Sequence, residues 1–527
     1  MDLIDTKVIK LIKSEILPAL THIINLSISS RKFPELWKKA KVIPLHKKDD
    51  LLNPKNFRPV AILPIFSKIM KRVIFNQFVQ YLNSNQLLHP SHHAYRSGHN
   101  TTTALIQMYD TWINAYEDGE VSGVCLLDMS AAFDIVDHSL LLKKMELYGF
   151  GEDSLDWTRS YLTGRSQCVS INGSLSKFLP VPTGVPQGSI LGPILYTIFT
   201  NELPEVVHDL PSCTQQLSAG WPAYNLNCKS CGNICCFADD TTYSCSDTSQ
   251  DLLSEKLSSK FRVISDFLVS NRLKLNDDKT HLLVLTSSQT RKARRRAGND
   301  IDVVIATPSA TIDPSTSEKL LGGWIHQDLK WAEYVQDSDE SLVKSLTTRL
   351  SALKMIGKVA LFKTRKMLAD GIIISKLSYL ISLWGGCEQY LLRSLQVIQN
   401  KAARVVTKLD WYTPTHVLLS QCGWLSVHQL ALYHTVILAH KVLMSGSPKY
   451  LHNLYSEDYG RETRLADMKP IKPGKSKAPE HDLTTSSFRW RSLEQYNSLP
   501  LNIRNTIPIN KFKVLVKKWI MENVELT

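Results

Sequence analysis

The sequence predicts an α+β fold, and three observations carry that expectation. Short apolar and β-branched runs alternate with amphipathic stretches from about residue 30 to residue 330. Two of these runs are distinctive: Val124-Cys-Leu-Leu127 is continuously apolar, as in a strand covered on both faces, and Ile234–Cys245 reads as strand, tight turn, strand. Past Trp331 no clear strand run occurs, so a mainly helical C-terminal region and a domain boundary near 330 are expected. A chain of 527 residues exceeds a single core, which makes two to four domains the natural expectation.

Composition narrows the function classes. With 43% hydrophobic and 21% charged residues the chain is an ordinary folded protein, neither fibrous nor disordered. The net charge of +13 points to a polyanionic partner, most simply nucleic acid. An acidic membrane surface is the competing partner, but the sequence has no lipidation signal or basic amphipathic anchor to support it. Leu3 to Ile28 is apolar but broken by Asp5, Lys7, Lys10, Lys13, Glu15 and His22, the spacing of an amphipathic helix rather than a signal peptide. Gly371–Trp384 is short and carries Lys376, so it reads as a buried helix, not a membrane span. An intracellular location, nuclear or cytoplasmic, is the expectation.

Taken in order, Trp37–Lys48 reads as a short strand with lysines at its ends, and Asn56–Pro64 as an extended segment from which Arg58 projects. Such cations suit a triphosphate or backbone phosphates, or simply a solvated basic surface. Ile65–Leu82 has helical periodicity at Ile65, Ile69, Val73, Phe78 and Leu82. His92, His93 and His99 lie close together, but the Ser-Gly-His-Asn turn and following threonines indicate a loop and helix cap, not a metal site. Asp128 stands where the apolar strand stops and a helix led by Ser130 is expected; it is either a ligand-facing acid beyond the strand end or an N-cap. Phe133 is either core or a wall of a nucleotide pocket.

Gln167–Ile171 alternates, Asn172-Gly173 marks a hairpin, and Thr183–Pro193 is a Gly-rich turn into a helix over Ile194–Leu203. Gly184, Gly188 and Gly192 permit close backbone approach to a phosphate or sugar. Six of the ten cysteines then fall within Cys213–Cys245. Cys228 and Cys231 have the spacing of one arm of a zinc knuckle, with Cys213 and Cys235 or Cys236 as the other; buried thiols are the alternative. Lys274–His281 links a helix to the strand Leu282–Leu285, with Asn276 and Lys279 as polar punctuation. Arg291–Arg296 reads as a basic block in a polar loop, and Leu320–His326 as a strand turning at Gly322-Gly323. Lys469–Pro479 is a Pro/Lys-rich linker, and Lys511–Ile520 a basic amphipathic end.

Phe237-Ala-Asp-Asp240 by itself is an ordinary Asp-Asp turn. Set beside Asp128 on a separate strand, it becomes part of a set of three acids. Two adjacent carboxylates ionise together only at a cost unless a cation lies between them, which suggests Mg²⁺. If the strands pair, two metal ions about 3.5–4 Å apart would activate a hydroxyl and neutralise a leaving pyrophosphate. With the excess of positive charge, that chemistry points to template-directed phosphoryl transfer.

The ordered set Asn56-Phe-Arg-Pro-Val60, Tyr95-Arg-Ser-Gly98, Leu127-Asp-Met-Ser-Ala-Ala-Phe-Asp134, Gly184-Val-Pro-Gln-Gly-Ser-Ile-Leu-Gly-Pro193, Phe237-Ala-Asp-Asp240, Leu275-Asn-Asp-Asp-Lys-Thr280 and Leu321-Gly322 resembles the reverse transcriptases of non-LTR, LINE-type retrotransposons of the jockey-like kind. The resemblance is dense over about residues 30–330 and continues weakly to Ser487-Phe488 and Tyr496-Asn-Ser-Leu-Pro500, where Tyr496 replaces the family's usual Trp.

It implies a right-hand polymerase with fingers and a ferredoxin-like palm over 1–330, carrying a Cys-rich insertion at about 208–236. A helical thumb-like region would follow over 331–460, then a basic linker and tail over 461–527. It also implies that Asp128, Asp239 and Asp240 bind two Mg²⁺ ions and are catalytic. Phe133 would exclude a ribose 2′-hydroxyl and favour dNTPs. Gln187, Gly188 and Ser189 would line the nucleotide and template pocket, Arg58 would contact the triphosphate, and Lys279 would protonate the leaving pyrophosphate. Gly322 and Gly323 would belong to a primer-grip hairpin. The expected partners are an RNA template, a DNA primer or target DNA and dNTPs. The Cys-rich insertion departs from the family pattern, so its zinc is not implied. Full elements of this kind usually carry an upstream endonuclease; this chain is not expected to hold one, nor a ribonuclease H segment. The competing readings are a truncated or domesticated nucleic-acid-binding remnant without synthesis and an RNA-templated RNA polymerase.

Overall fold

The computed structural model describes residues 6–47, 50–129, 131–186, 188–207, 214–215, 223–224, 232–276, 279–298, 300–307, 311–455, 472 and 481–525. Two five-stranded sheets organise the first 330 residues. In one, Phe57–Ile62, Lys39–His46, Ser166–Ile171 and Ser174–Leu175 lie in that order, and Leu179–Pro180 also pairs with Ser166–Ile171. Antiparallel register from Lys41↔Ile62 to His46↔Phe57 sets Arg58 opposite Leu45 on the exposed edge strand. The second sheet has the order Pro314–Ser315, His281–Leu285, Val121–Leu127, Asp240–Asp247, Asn233–Phe237. Its middle strand is the apolar run read as covered on both faces, and Val121, Val124 and Cys125 are all at most 1% exposed. Past Trp331 the described regular elements are helical.

Contacts gather the chain into two compact units, each discontinuous in sequence. One comprises Met1–Tyr95, Leu127–Tyr243 and Ser258–Thr280; the other Arg96–Leu126, Ser244–Leu257 and His281–Thr527. In the first, the N-terminal amphipathic stretch folds as Thr6–Leu11 and Lys13–Ser29, burying Leu20, Ile24 and Ser27. Trp157 donates its indole N–H to Ser27 Oγ at 3.0 Å, and the Phe33 ring meets Trp157 and Tyr161 edge-on at 5.6 and 5.1 Å. Such aromatic contacts fix the helix on the body beyond what area burial gives. The Ile65–Ser84 helix forms as expected, but its buried face is Ser67, Met70, Lys71, Ile74, Phe78 and Leu82. Ile69 is 36% exposed. Apolar residues occur on more than one side of this helix, so periodicity alone admits two faces.

Three expectations are corrected. Ser130 lies outside the described residues, and the helix expected to follow it is absent: residues 131–134 form a turn, with Ala131 at φ 49°, and the helix is His138–Leu147. The turn is held instead by Val185 N–H on Phe133 O at 2.7 Å and Gly184 N–H on Val136 O at 2.9 Å. Asp137, not Asp128, is the N-cap, accepting from Leu140 N–H. Arg291–Arg296 is not loop but part of the helix Ser288–Arg296, capped by Ser287. Its Arg, Lys and Ala residues are good helix formers, and the basic last turn suits the helix dipole. Gly371–Trp384 is not one helix: a π-helical turn over Asp370–Ile374 leads to Ser375–Ser378, and Leu380 at φ 57° separates these from Ile381–Trp384. Lys469–Pro479 lies outside the described residues, Lys472 apart. No helix among the described residues is long and apolar enough to cross a membrane.

In the second unit, Gly123 is demanded by packing, since a Cβ there would come 2.4 Å from Leu257. Two C-terminal ties matter for stability. Arg489 pairs with Asp110 of the Thr101–Glu117 helix at 2.7 Å, both side chains nearly buried. Arg491 donates to the Ser382 and Leu383 carbonyls at 2.7 and 3.0 Å. His440, 1% exposed, stacks on Phe512 at 3.6 Å and sits between Tyr496 OH (3.0 Å, Nδ1) and the Thr506 carbonyl (3.1 Å, Nε2). The neutral tautomer with Nε2–H satisfies both partners. Burial pushes this imidazole down to about 4, and burial with Lys441 and Lys513 does the same to His434. An unfolded histidine takes its proton near 6.5, so the unfolded chain binds more protons between about 4 and 6.5. The stabilisation is therefore complete above about 6.5 and is lost as pH falls toward 4, by at most about 3 kcal/mol for His440. Unfolding midpoints measured from pH 7.5 to 4.5 should fall, and His440→Phe should flatten the slope; an unchanged slope refutes this assignment.

Candidate active site

The Asn233–Phe237 and Asp240–Asp247 strands are joined by Ala238-Asp239, with Ala238 at φ 59°. The tight turn does what strand alternation forbids: it lets two consecutive carboxylates serve one place. Asp128, one residue past the Val121–Leu127 strand, is within electrostatic reach of Asp240. Desolvation first, then the charges of Asp239 and Asp128, raise the Asp240 carboxyl to about 6, while Lys47 and Arg58 oppose that rise. Asp240 thus lies within electrostatic reach of Asp239, Asp128, Arg58 and Lys47.

Asp128 is held by the segment after the Gln250–Ser270 helix. Asn276 donates its backbone N–H to Asp128 O at 2.8 Å and its side-chain amide to Oδ2 at 3.2 Å. Lys279 Nζ lies 3.6 Å from the same oxygen, and Met129 bridges to Leu275. Asn276, read as punctuation, is therefore a positioning residue. Tyr95 and Tyr196 also face this place, since Asp239 together with burial raises both phenols. Tyr196 OH contacts Met129 Sδ at 3.1 Å, and its ring lies 4.7 Å from that of Phe133, which sits in the 131–134 turn rather than on a helix. No local pattern could have found Asn276, Tyr95 or Tyr196 in this role, because each acts across more than forty residues of chain.

The Gly-rich loop is built in. Gly184, at φ 81°, would place a Cβ 2.4 Å from the Asp134 carbonyl oxygen, so only glycine fits. Ser189 is buried, its hydroxyl sharing a 2.8 Å hydrogen bond with Tyr161 OH, whereas Gly188 is exposed at φ 88°. Ser189 is thus turned into the core, and Gly188 is the open position of the loop. Gln187 lies outside the described residues. So do Cys213, Cys228 and Cys231; Cys235 is a buried free thiol that burial raises well above its ordinary value. Gly322 and Gly323 lie at the Ser317–Leu320/Gly323–His326 hairpin, where Leu321-Gly322 make the turn and Gly323 opens the second strand.

Among the described residues no three His, Cys, Asp or Glu side chains converge closely enough to hold a metal as they stand. The donor chemistry nevertheless fits a hard divalent cation: the three carboxylates offer oxygen only, and their mutual repulsion is what such an ion relieves.

A family model described as reverse transcriptase (RNA-dependent DNA polymerase) matches residues 45–322. The RNA-directed DNA polymerase from mobile element jockey of Drosophila melanogaster is 32% identical over 204 residues, 38% of this chain and 22% of that protein. The jockey counterpart of Drosophila funebris is 26% identical over 430 residues, covering 79% and 42%. The transposon X-element protein of Drosophila melanogaster is 24% identical over 416 residues, covering 78% and 42%. The chain spans less than half the length of these curated relatives. Among solved structures, telomerase from Candida albicans in complex with the TWJ fragment of telomeric RNA is 13% identical, covering 80% of this chain and 67% of that one, at TM-score 0.40.

Proposed function

The chain belongs to the reverse transcriptase (RNA-dependent DNA polymerase) family, and from that premise we propose that it is an RNA-directed DNA polymerase copying retrotransposon RNA into DNA. The observation that supports the reading is that Asp240 lies within electrostatic reach of Asp239 and Asp128 and of the cations Lys47 and Arg58. Its partners are an RNA template, a DNA primer or target DNA, and dNTPs. Asp128, Asp239 and Asp240 would hold two Mg²⁺ ions, which supply activation of the primer hydroxyl and neutralisation of the leaving pyrophosphate.

The chain's own residues do the rest. Asn276 holds Asp128 at two atoms, its backbone N–H on the Asp128 carbonyl oxygen and its side-chain amide on the carboxylate. Arg58 and Lys47 bind and orient the triphosphate, and the exposed backbone at Gly188 lets a nucleotide or template approach closely. Lys279, whose Nζ lies 3.6 Å from Asp128 Oδ2, would deliver a proton to the leaving pyrophosphate. Zinc at Cys213, Cys228, Cys231 and Cys235 is not part of this reading.

The test is primer extension with the purified protein, an RNA template, a DNA primer, dNTPs and Mg²⁺. Template-dependent DNA product is the expected result; no extension overturns the proposal. Phe133 is the sugar gate in this scheme, its ring backed by Tyr196. Phe133→Ala should raise ribonucleotide use relative to dNTPs by roughly tenfold or more, the scale of one steric contact in a selective pocket. Unchanged sugar selectivity in competition assays would remove that role.

A further inference from the structure

The helix Ser288–Arg296 carries five cations, Arg291, Lys292, Arg294, Arg295 and Arg296, and no acid. It buries no residue, and a nine-residue helix without a packed face is marginal on its own. Two arginines on one side fasten it to the second unit. Arg291 donates through Nη2 to the Val284 carbonyl at 3.1 Å and pairs through Nε with Asp328 at 3.5 Å. Arg294, nearly one turn on, donates to the Thr248 carbonyl at 3.5 Å. Ser287 caps the start, accepting from Thr290 N–H at 3.0 Å.

The other side is left open. Lys292 and Arg296 are four residues apart, Gln289 lies three before Lys292, and Arg295 borders the same face. All four side chains are exposed. Among the described residues Lys292, Arg295 and Arg296 pair with no carboxylate, and Asp300 and Asp302, just past the helix, pair with no cation. Like charges at these spacings weaken a helix, so the face opposes its own stability. A polyanion laid along it removes that repulsion. The face is also separate from the acids. Leu285, two residues before the Ser287 cap, pairs with Ser122, so the helix leaves the sheet where the Val121–Leu127 strand begins, not at the end where Asp128 follows it.

We propose that Gln289, Lys292, Arg295 and Arg296 form a docking face for the phosphodiester backbone of nucleic acid, outside the active site. Cations on long stems suit phosphate oxygens, and the glutamine amide adds a neutral donor. An acidic protein shares the sign of charge but not its density. A duplex carries one charge per about 1.7 Å of its axis, enough to engage all three cations at once. Template RNA and target DNA both offer this chemistry.

Equilibrium binding of the full chain to labelled single-stranded RNA and to duplex DNA, each repeated across salt concentration, tests the face. The triple variant Lys292→Gln/Arg295→Gln/Arg296→Gln removes three charges, keeps good helix formers and leaves both anchoring arginines. For at least one ligand the slope of log K against log salt should become shallower by about 2–3, and that ligand is the one held there. Unchanged slopes for both ligands overturn the face. So does an equal change in Lys10→Gln/Lys13→Gln/Lys32→Gln, which removes the same charge from other exposed positions. Loss of binding to poly-glutamate with both nucleic-acid slopes intact would give the face to an acidic protein and overturn the proposal as well. Binding is measured without nucleotides, so this face and the polymerase proposal can fail separately.

Discussion

Asp239→Ala should reduce primer extension by at least about a thousandfold, since removing one of three metal-binding acids forfeits several kcal/mol of transition-state charge stabilisation. The loss should appear in the rate of nucleotide addition, while salt-dependent binding to RNA persists through the basic surface. The variant should be no less stable than the wild type. Asp239 stands at a hairpin tip beside Asp240, where without a cation the carboxylates repel one another. A thermal midpoint equal to or above that of the wild type, together with lost synthesis, assigns the defect to chemistry rather than folding. Equal extension by wild type and Asp239→Ala would remove the acid from the mechanism and, with it, the proposed function.

Arg489→Met should lower the unfolding free energy by about 3–5 kcal/mol. It leaves Asp110 buried without its 2.7 Å partner. Burial already raises the Asp110 carboxyl against the opposing pull of Arg489. Without the arginine its folded pKa rises further above the unfolded value. The folded state then binds the extra proton, so the variant's stability falls as pH rises above the unfolded carboxylate range. The defect should accordingly be larger at pH 8 than at pH 5. Asp110→Asn added to Arg489→Met should recover part of the loss, since an amide is far easier to bury than a carboxylate. Additive losses in that double-mutant cycle would refute the coupling.

What could be read beforehand was local. The turn at Ala238-Asp239, the covered strand ending at Asp128 and the Asn172-Gly173 hairpin each follow from a pattern within a dozen residues, and all three are present. The local pattern over 131–134 suits a helix start, but the turn's conformation is set by Gly184 and Val185, about fifty residues away. The Ser288–Arg296 helix is illegible in the sequence for another reason. It buries nothing, so it has no apolar period, and only the Ser287 cap announces it. Asn276 was invisible as a functional candidate, since an isolated Asn gains meaning only from what the fold sets opposite it.

The discontinuity of the second unit has a consequence in the time course of synthesis. The Thr101–Glu117 helix leaves the ribosome early, but Arg489, which neutralises its Asp110, follows 379 residues later. At about 5–20 residues per second that interval is on the order of tens of seconds, during which an amphipathic helix carries an unmatched acid in its apolar stripe. A message cut short before Arg489 would yield a chain whose acid cluster is fully encoded yet whose second unit cannot close. The last helices therefore bear on whether the second unit folds, although they lie hundreds of residues from the acids in sequence.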